Sequence, residues 1–123
     1  MGKHKENCID FIEFPANDIE GLAQSKRFFS EVFGWSYQDW GDDYSDTSGS
    51  GLGSGLNADP DHRPSMPLIV IYSSNLEDTR ANVVAAGGKI TRDIFSFPGG
   101  QRFHFKDPSG NELAAWSDTS LPA

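Results

Sequence analysis

Size, composition and charge limit the classes of protein to which this chain can belong. It has 123 residues, a formal net charge of −8 and one cysteine, Cys8. This length suits one domain with its own core, and a single cysteine excludes an internal disulfide framework. Lysine and arginine form no cluster, so nucleic acid and anionic membranes are disfavoured as partners. No run approaches the ~20 apolar residues of a membrane span and the N-terminus is polar, so we expect a cytoplasmic protein.

The first half of the chain predicts a strand, a helix and several further strands. Ile9 to Phe14 alternates, which places Phe11 and Glu13 on one face of a strand. Asn17 and Glu20 resemble a capping box, and Gly34 is a plausible end for the helix that follows. The helix carries an apolar stripe at helical spacing, formed by Leu22, Phe28, Phe29, Val32 and Phe33. A short strand over 35–40 and a glycine-rich, serine-rich stretch over 41–61 complete this half.

The second half repeats this order. A strand over 67–72 precedes a helix that begins near Ser74 and Glu77 and ends at the glycine pair 87–88. The strands that follow are predicted to begin at Lys89 and to cover 101–106 and 112–116, with a tight turn, DPSGN, before the last one. Alternation puts Arg102 and His104 on one face of their strand, and Phe103 and Phe105 on the face that packs beneath a helix.

The repeated order indicates an internal duplication. Phe11 and Leu68 lie 57 positions apart, as do Asp18 and Asn75 at the two helix starts. We therefore predict an α+β fold in a single domain, 1–123, with module one at about 7–60 and module two at about 66–118. Each module has one helix to cover one sheet face, so two modules can enclose a cup with the helices outside.

Several motifs resemble those of a known family. They are Asp18 at the first helix start, Phe28-Phe29, VFGW over 32–35, AAGGK over 85–89 and RFHFKDPSGNELAAW over 102–116. Together they resemble the vicinal oxygen chelate superfamily of glyoxalases, bleomycin-resistance proteins and extradiol dioxygenases, and most closely its glyoxalase-like branch. The resemblance implies two βαβββ modules that form a curved mixed sheet around a cup, often in a homodimer.

The resemblance also implies where family enzymes hold a divalent metal. The matching positions here are Phe11, Leu68 and Ala114, and no acid or histidine lies between Asp46 and Asp59. Hydrocarbon side chains do not coordinate such cations. The histidines, at positions 4, 62 and 104, have no metal-ligand spacing. We therefore expect neither a metal nor another cofactor.

Strand alternation then gives the lining of the cup. The candidate ligand-binding residues are Phe11, Leu68, Val70, Tyr72, Arg102, Ala114 and Trp116. Arg102 is the candidate anchor for an anionic group, and Glu13 with His104 the candidate acid–base pair. Two simpler interpretations stay open: Glu13 and Arg102 neutralise each other as an ion pair, and His104 is a hydrogen-bonded structural histidine.

Three functions are compatible with this lining. The first is a metal-free protein that binds a small organic molecule, possibly anionic or aromatic, as bleomycin-resistance proteins do. The second is a metal-independent lyase or isomerase with Glu13 and His104 as acid–base groups and Arg102 as anion anchor. The third is a structural homodimer whose cup is vestigial. Whether the protein is an enzyme stays open at this point, and binding is favoured over catalysis.

Overall fold

The computed structural model describes residues 4–118, which form two compact units. The first module is Phe11–Leu68; the second consists of the described residues 4–10 together with 69–118. In chain order the elements are β1 (Ile9–Pro15), α1 (Ile19–Phe33), β2 (Ser36–Asp39), β3 (Tyr44–Ser48), β4 (Gly53–Asn57), β5 (Leu68–Tyr72), α2 (Leu76–Ala85), β6 (Lys89–Phe97), β7 (Gly100–Lys106) and β8 (Glu112–Ser117).

The two modules have the same strand pairing. In the first module β1 pairs with β4 in parallel, and β3 pairs antiparallel with both β4 and β2. In the second module β5 pairs with β8 in parallel, and β7 pairs antiparallel with both β8 and β6. The predicted α+β class and the predicted βαβββ modules are therefore confirmed.

The N-cap of each helix lies one residue later than predicted. Asp18, and not Asn17, caps α1 by accepting a hydrogen bond from the Gly21 backbone N–H at 2.7 Å. Asn75, and not Ser74, caps α2 by accepting one from the Asp78 backbone N–H. A short polar side chain that satisfies an orphan N–H of the first turn is the usual start of a helix. As predicted, α1 ends at Gly34, whose φ of 76° is left-handed.

Each module has its own small core on the helix side of its sheet. In the first, the buried residues are Ala16, Leu22, Leu56 and Ala58, with Phe14, Phe29 and Tyr37 packed against them. In the second they are Leu76, Phe103 and Ala115, with Val83, Ile90, Ile94 and Phe105 packed against them. Phe103 and Phe105 thus lie on the predicted face.

Among the described residues, no helix is long and apolar enough to cross a membrane.

The apolar stripe predicted on α1 is only partly buried. Leu22 is buried and Phe29 is half-buried, with its ring stacked 4.6 Å from that of Trp35. Phe28, Val32 and Phe33 are each more than half exposed. These three side chains are not among the residues that pack in the first module's core.

Candidate functional site

Two rows of side chains share one face of the sheet in the second module. Residues directly opposite each other on paired strands point to the same side of a sheet. The first row consists of Phe95, Arg102, Trp116 and Tyr72 on β6, β7, β8 and β5. The second row, one pleat along, consists of Arg92, His104, Ala114 and Val70. Six of the nine predicted site residues belong to these rows: Val70, Tyr72, Arg102, His104, Ala114 and Trp116.

A β-bulge brings an additional arginine onto this face. Arg92 and Phe95 are three residues apart, so in a regular strand they would point to opposite sides. The pairing register shifts between them: Arg92 lies opposite His104 and Phe95 opposite Arg102. One extra residue in the bulged strand reverses the alternation. Both side chains consequently lie on the same face as Arg102 and His104.

Two guanidinium groups contact the same aromatic ring. The guanidinium carbon of Arg92 lies 3.9 Å from the Phe95 centroid, and that of Arg102 lies 5.4 Å from it. Arg102 also lies 5.8 Å from the Phe97 centroid. Both distances to Phe95 are within the ~6 Å range of a cation–π interaction. The ring therefore holds two cations on one patch of a chain whose net charge is −8.

His104 lies beside these cations and is only 7% exposed. Burial, and then the charges of Arg102 and Arg92, lower the pKa of His104 to about 4. At neutral pH its imidazole is therefore uncharged. The Nε2 atom is buried and has no hydrogen-bond partner within residues 4–118. The Nδ1 atom lies 3.9 Å from a carboxylate oxygen of Glu112, beyond hydrogen-bonding distance.

The other end of the first row is covered by the chain's own N-terminal residues. The His4 ring stacks on Tyr72 with centroids 5.0 Å apart and meets Trp116 edge-on at 4.8 Å. Trp116 donates its indole N–H to the Asp10 carboxylate at 2.7 Å. The hydroxyl of Tyr72 donates to Asp118 at 2.7 Å, and this bond, with burial, raises the pKa of Tyr72.

The other three predicted site residues, Phe11, Glu13 and Leu68, belong to the first module. Glu13 is only 2% exposed, and its carboxylate accepts a hydrogen bond from the Asn57 side-chain amide at 3.2 Å. Leu68 is buried and Phe11 is half-buried. Because Glu13 and Arg102 lie in different modules, the ion pair between them and the joint cup stay predictions.

The residues at the metal-ligand positions of the family do not fit a cation. Phe11, Leu68 and Ala114 present phenyl, isobutyl and methyl groups, which lack a lone pair to donate. Within residues 4–118, no three or more histidine, cysteine, aspartate or glutamate side chains lie together in a group that could hold a metal ion. The donor chemistry of these positions gives no basis for a metal-dependent step.

Five residues of this face were missed by the sequence analysis. Arg92, Phe95 and Phe97 lie on β6, of which only the first residues were predicted to be extended. His4 precedes the first strand and lies outside its alternation pattern, whereas Asp10 lies in that strand, one position before Phe11, and alternation did not assign it to the face of Phe11 and Glu13. The sequence carries no signal for the bulge, because a bulge is defined by the register of two strands and not by one of them.

Comparison with known families identifies the class of protein. The model of the Glyoxalase/Bleomycin resistance protein/Dioxygenase superfamily matches residues 9–115. Together with the paired βαβββ modules, this match shows that the chain belongs to that superfamily. No curated protein matches the sequence.

Solved structures share the fold at low sequence identity. A superfamily member from Vibrio splendidus 12B01 is 17% identical with a TM-score of 0.61, over 87% of this chain and 96% of that one. The Mn(II)-bound glyoxalase from Novosphingobium aromaticivorans is 20% identical with a TM-score of 0.65, over 97% and 41%. Methylmalonyl-CoA epimerase from Mycobacterium tuberculosis is 10% identical with a TM-score of 0.63, over 99% and 93%. At these identities the comparison establishes the fold alone.

Proposed function

We propose that this protein binds a small organic anion with a flat apolar group, and that Arg92, Arg102 and Phe95 hold it. The observation that carries the proposal is the pair of guanidinium groups packed on one aromatic ring. Guanidinium groups bind carboxylate or phosphate through paired N–H donors. In a strongly acidic chain, a local pair of cations is the feature that would attract an anion.

The neutral imidazole of His104 complements these cations. A protonated histidine would add a third positive charge, whereas the depressed pKa keeps His104 uncharged at neutral pH. Its buried Nε2 atom lacks a partner among the described residues, and an unpaired buried polar atom costs free energy. A polar atom of a bound ligand would satisfy it. The surrounding Phe95 and Phe97 rings supply the apolar contact that small-molecule sites generally have.

Binding is supported better than metal-independent catalysis. A general base works best when its pKa lies near the operating pH, and a histidine with a pKa of about 4 is a weak base. The Glu13 carboxylate is engaged by Asn57 in the first module. Neither group has the environment of an acid–base catalyst, so a lyase or isomerase activity is the less supported alternative.

Binding of benzoate, with benzamide as its uncharged counterpart, tests this function. We expect benzoate to raise the melting temperature, because a ligand of the native state stabilises it, and benzamide to raise it less. Arg92→Gln and Arg102→Gln should each weaken benzoate binding by about tenfold or more, since a hydrogen bond to a charged group contributes roughly 1.5–3 kcal/mol. Thermal unfolding measures the melting temperatures, and isothermal titration calorimetry measures the affinities.

Arg27→Gln is the matched control. Arg27 is exposed on α1 in the first module, so this variant changes net charge equally without altering the site. Benzoate affinity should be unchanged in it. Equal losses of benzoate affinity in all three arginine variants would show that only the net charge of the protein matters, and would reject the proposed site. Conversion of benzoate or of related acids by the wild type but not by His104→Ala would favour the enzyme alternative.

We propose that the protein forms a homodimer through the exposed face of α1. Phe28, Val32 and Phe33 form an apolar surface there, and such surfaces commonly mark interfaces. A second copy of the chain is the proposed occupant. Light scattering coupled to size-exclusion chromatography should give a dimer mass for the wild type and a monomer mass for Val32→Asp. A monomeric wild type would reject this interface and the structural-homodimer alternative.

We also propose that the protein needs no cofactor and is cytoplasmic. The protein acts without a metal or cofactor, because the family's ligand positions carry hydrocarbon. It acts in the cytoplasm, where its one cysteine, exposed and unpaired in the structure, stays reduced. Metal analysis of the purified protein should find no stoichiometric zinc, nickel, iron or manganese, and a stoichiometric metal would overturn the metal-free part.

A further inference from the structure

A short turn folds the N-terminal residues back onto the second module. The Cys8 backbone N–H donates to the Lys5 carbonyl, and Asn7 adopts a left-handed φ of 65°. Asparagine tolerates this conformation better than most residues do. Backbone bonds then fix the segment: the Asn7 N–H donates to the Tyr72 carbonyl at 2.9 Å, and the Tyr72 N–H donates to the Cys8 carbonyl at 3.0 Å.

The His4 side chain fills a slot with three different walls. The Tyr72 ring is one wall, nearly parallel to the imidazole with an interplanar angle of 18°. The Trp116 ring is the second wall, at 84° to the imidazole. The Asp10 carboxylate is the third, with its two oxygens 3.1 and 3.0 Å from His4 Nδ1. A carboxylate accepts hydrogen bonds, so Nδ1 donates to it.

This slot selects for the shape and chemistry of its occupant. Stacking on Tyr72 requires a flat ring, and Asp10 requires an N–H donor at the ring edge. Trp116 donates to the same carboxylate at 2.7 Å, which fixes the orientation of Asp10 independently of His4. The walls belong to β1, β5 and β8, whereas His4 precedes every strand. The strands of the sheet thus supply the walls of the slot, and a turn outside the sheet supplies its occupant, His4.

His4 is held there by contacts that can be broken separately. Its side chain is 28% exposed, so it borders solvent. The turn is tied down at Glu6, whose exposed carboxylate accepts from the Ser74 backbone N–H at 3.0 and 3.2 Å. Exposed bonds of this kind contribute little to stability, so the residues before Asn7 can lift while the backbone bonds of Asn7 and Cys8 to Tyr72 stay formed.

We propose that Tyr72, Trp116 and Asp10 form a binding subsite for a planar N–H heterocycle of the imidazole class. His4 is its intramolecular occupant, and an external heterocycle binds by displacing it. Trp116 lies directly opposite Arg102, so the subsite adjoins the proposed anion site. It does not depend on that site, because an uncharged heterocycle needs no guanidinium group.

Imidazole at mildly alkaline pH is the probe, and the Trp116 indole N–H resonance in ¹H–¹⁵N spectra is the readout. While His4 occupies the slot, imidazole binds only to the fraction of molecules in which the slot is open, and its apparent affinity is reduced by that fraction. For a minor state this fraction is about a tenth or less. We expect His4→Ala to bind imidazole at least about tenfold more tightly than the wild type does. Adding Asp10→Ala to His4→Ala should abolish this gain, because it removes the acceptor.

His62→Ala is the matched control. His62 also pairs with an aspartate, Asp59 at 2.8 Å, but on an exposed loop of the first module. This variant should bind imidazole as the wild type does. Glu6→Ala keeps His4 but loosens the turn, so its affinity should fall between those of the wild type and His4→Ala.

The proposal is overturned if folded His4→Ala binds imidazole no more tightly than the wild type, or if the Asp10→Ala addition changes nothing. Circular dichroism establishes that His4→Ala is folded. If it is not, Glu6→Ala decides alone: tighter binding than in the wild type supports the subsite, and equal binding rejects it. Loss of benzoate binding in Arg102→Gln with imidazole binding retained would separate the two sites.

Discussion

Arg92 lies with its guanidinium carbon 3.9 Å from the centroid of the Phe95 ring, although the two residues are three positions apart on one strand. Only the register shift in β6 makes this contact possible. The bulge aims a second cation at the face on which Arg102 and His104 lie, and bulges commonly re-aim side chains in this way. The proposed anion site therefore depends on one irregular strand pair.

Phe95 should position the two arginines. Phe95→Leu keeps an apolar side chain but removes the ring, so cation–π contacts of about 0.5–1 kcal/mol are lost. We expect benzoate affinity to fall by about two- to fivefold, measured by calorimetry. Phe97→Leu is the comparison, since Phe97 lies 5.8 Å from Arg102 and has no contact with Arg92 among those observed. An unchanged affinity in Phe95→Leu would show that the ring does not position the guanidinium groups.

His104 should make stability depend on pH between about 4 and 6.5. Its pKa is lowered from 6.5 to about 4 in the folded chain, so the unfolded chain binds more protons in this window. Stability is therefore retained above pH 6.5 and lost as the pH falls towards 4. The difference is on the order of 3 kcal/mol. Urea unfolding across this range should show a shallower pH dependence in His104→Gln, which does not titrate.

The wild type and His104→Gln should show a similar dependence of stability on pH below 4, because the remaining changes there come from carboxylates. Identical slopes for the wild type and His104→Gln between pH 4 and 6.5 would contradict the buried, uncharged imidazole. The comparison is made between variants because several aspartates also titrate with lowered pKa values, among them Asp93, whose main partner is Arg80.

Asn57 should be intolerant of a negative charge. Its side chain donates to the buried Glu13 carboxylate and accepts from the Asp59 backbone N–H at 2.8 Å. Asn57→Asp keeps the acceptor but replaces the donor with a second carboxylate. We expect a loss of roughly 2 kcal/mol or more at neutral pH, because a buried hydrogen bond becomes a repulsion.

Asn57→Asp should regain part of its stability as the pH falls, since protonation of one carboxylate restores a donor. Chemical denaturation at neutral and acid pH measures this recovery. The double variant Glu13→Gln with Asn57→Asp is the control and should be more stable than Asn57→Asp alone at neutral pH. A loss that is independent of both pH and Glu13 would indicate a packing defect instead.

Gly100 should tolerate alanine less well than Gly34 does. An added Cβ at Gly100 would lie within 2.9 Å of Asp118 Cα and 3.0 Å of the Ser117 carbonyl carbon, and φ there is 149°. At Gly34 it would meet no atom of residues 4–118 within 4 Å, so the only cost there is the left-handed conformation, about 1–2 kcal/mol. Gly100→Ala adds a backbone clash of about 1–3 kcal/mol. Thermal unfolding of Gly100→Ala and Gly34→Ala ranks their stabilities, and equal losses of stability would contradict the clash at Gly100.

The sequence alone determined the architecture of each module, because that information is local and periodic. Alternation assigned Phe103 and Phe105 to the helix side of β7, and a glycine after the apolar stripe marked the end of α1 at Gly34. Caps were displaced by one residue, since neighbouring polar residues such as Asn17 and Asp18 compete for the same N–H groups. The twofold repeat of these signals indicated the α+β class, and the resemblance of motifs such as VFGW over 32–35 and RFHFKDPSGNELAAW over 102–116 indicated the family.

Only the tertiary structure decided which side chains accompany Arg102 and His104. The pattern on one strand says nothing about the register of its partner, so the bulge that adds Arg92 and Phe95 was invisible. The same holds for His4, which reaches Tyr72 through a turn at Asn7 and backbone bonds to a strand more than sixty residues away. Pairings between distant segments are set by packing and hydrogen bonding of the whole module, and local sequence does not encode them.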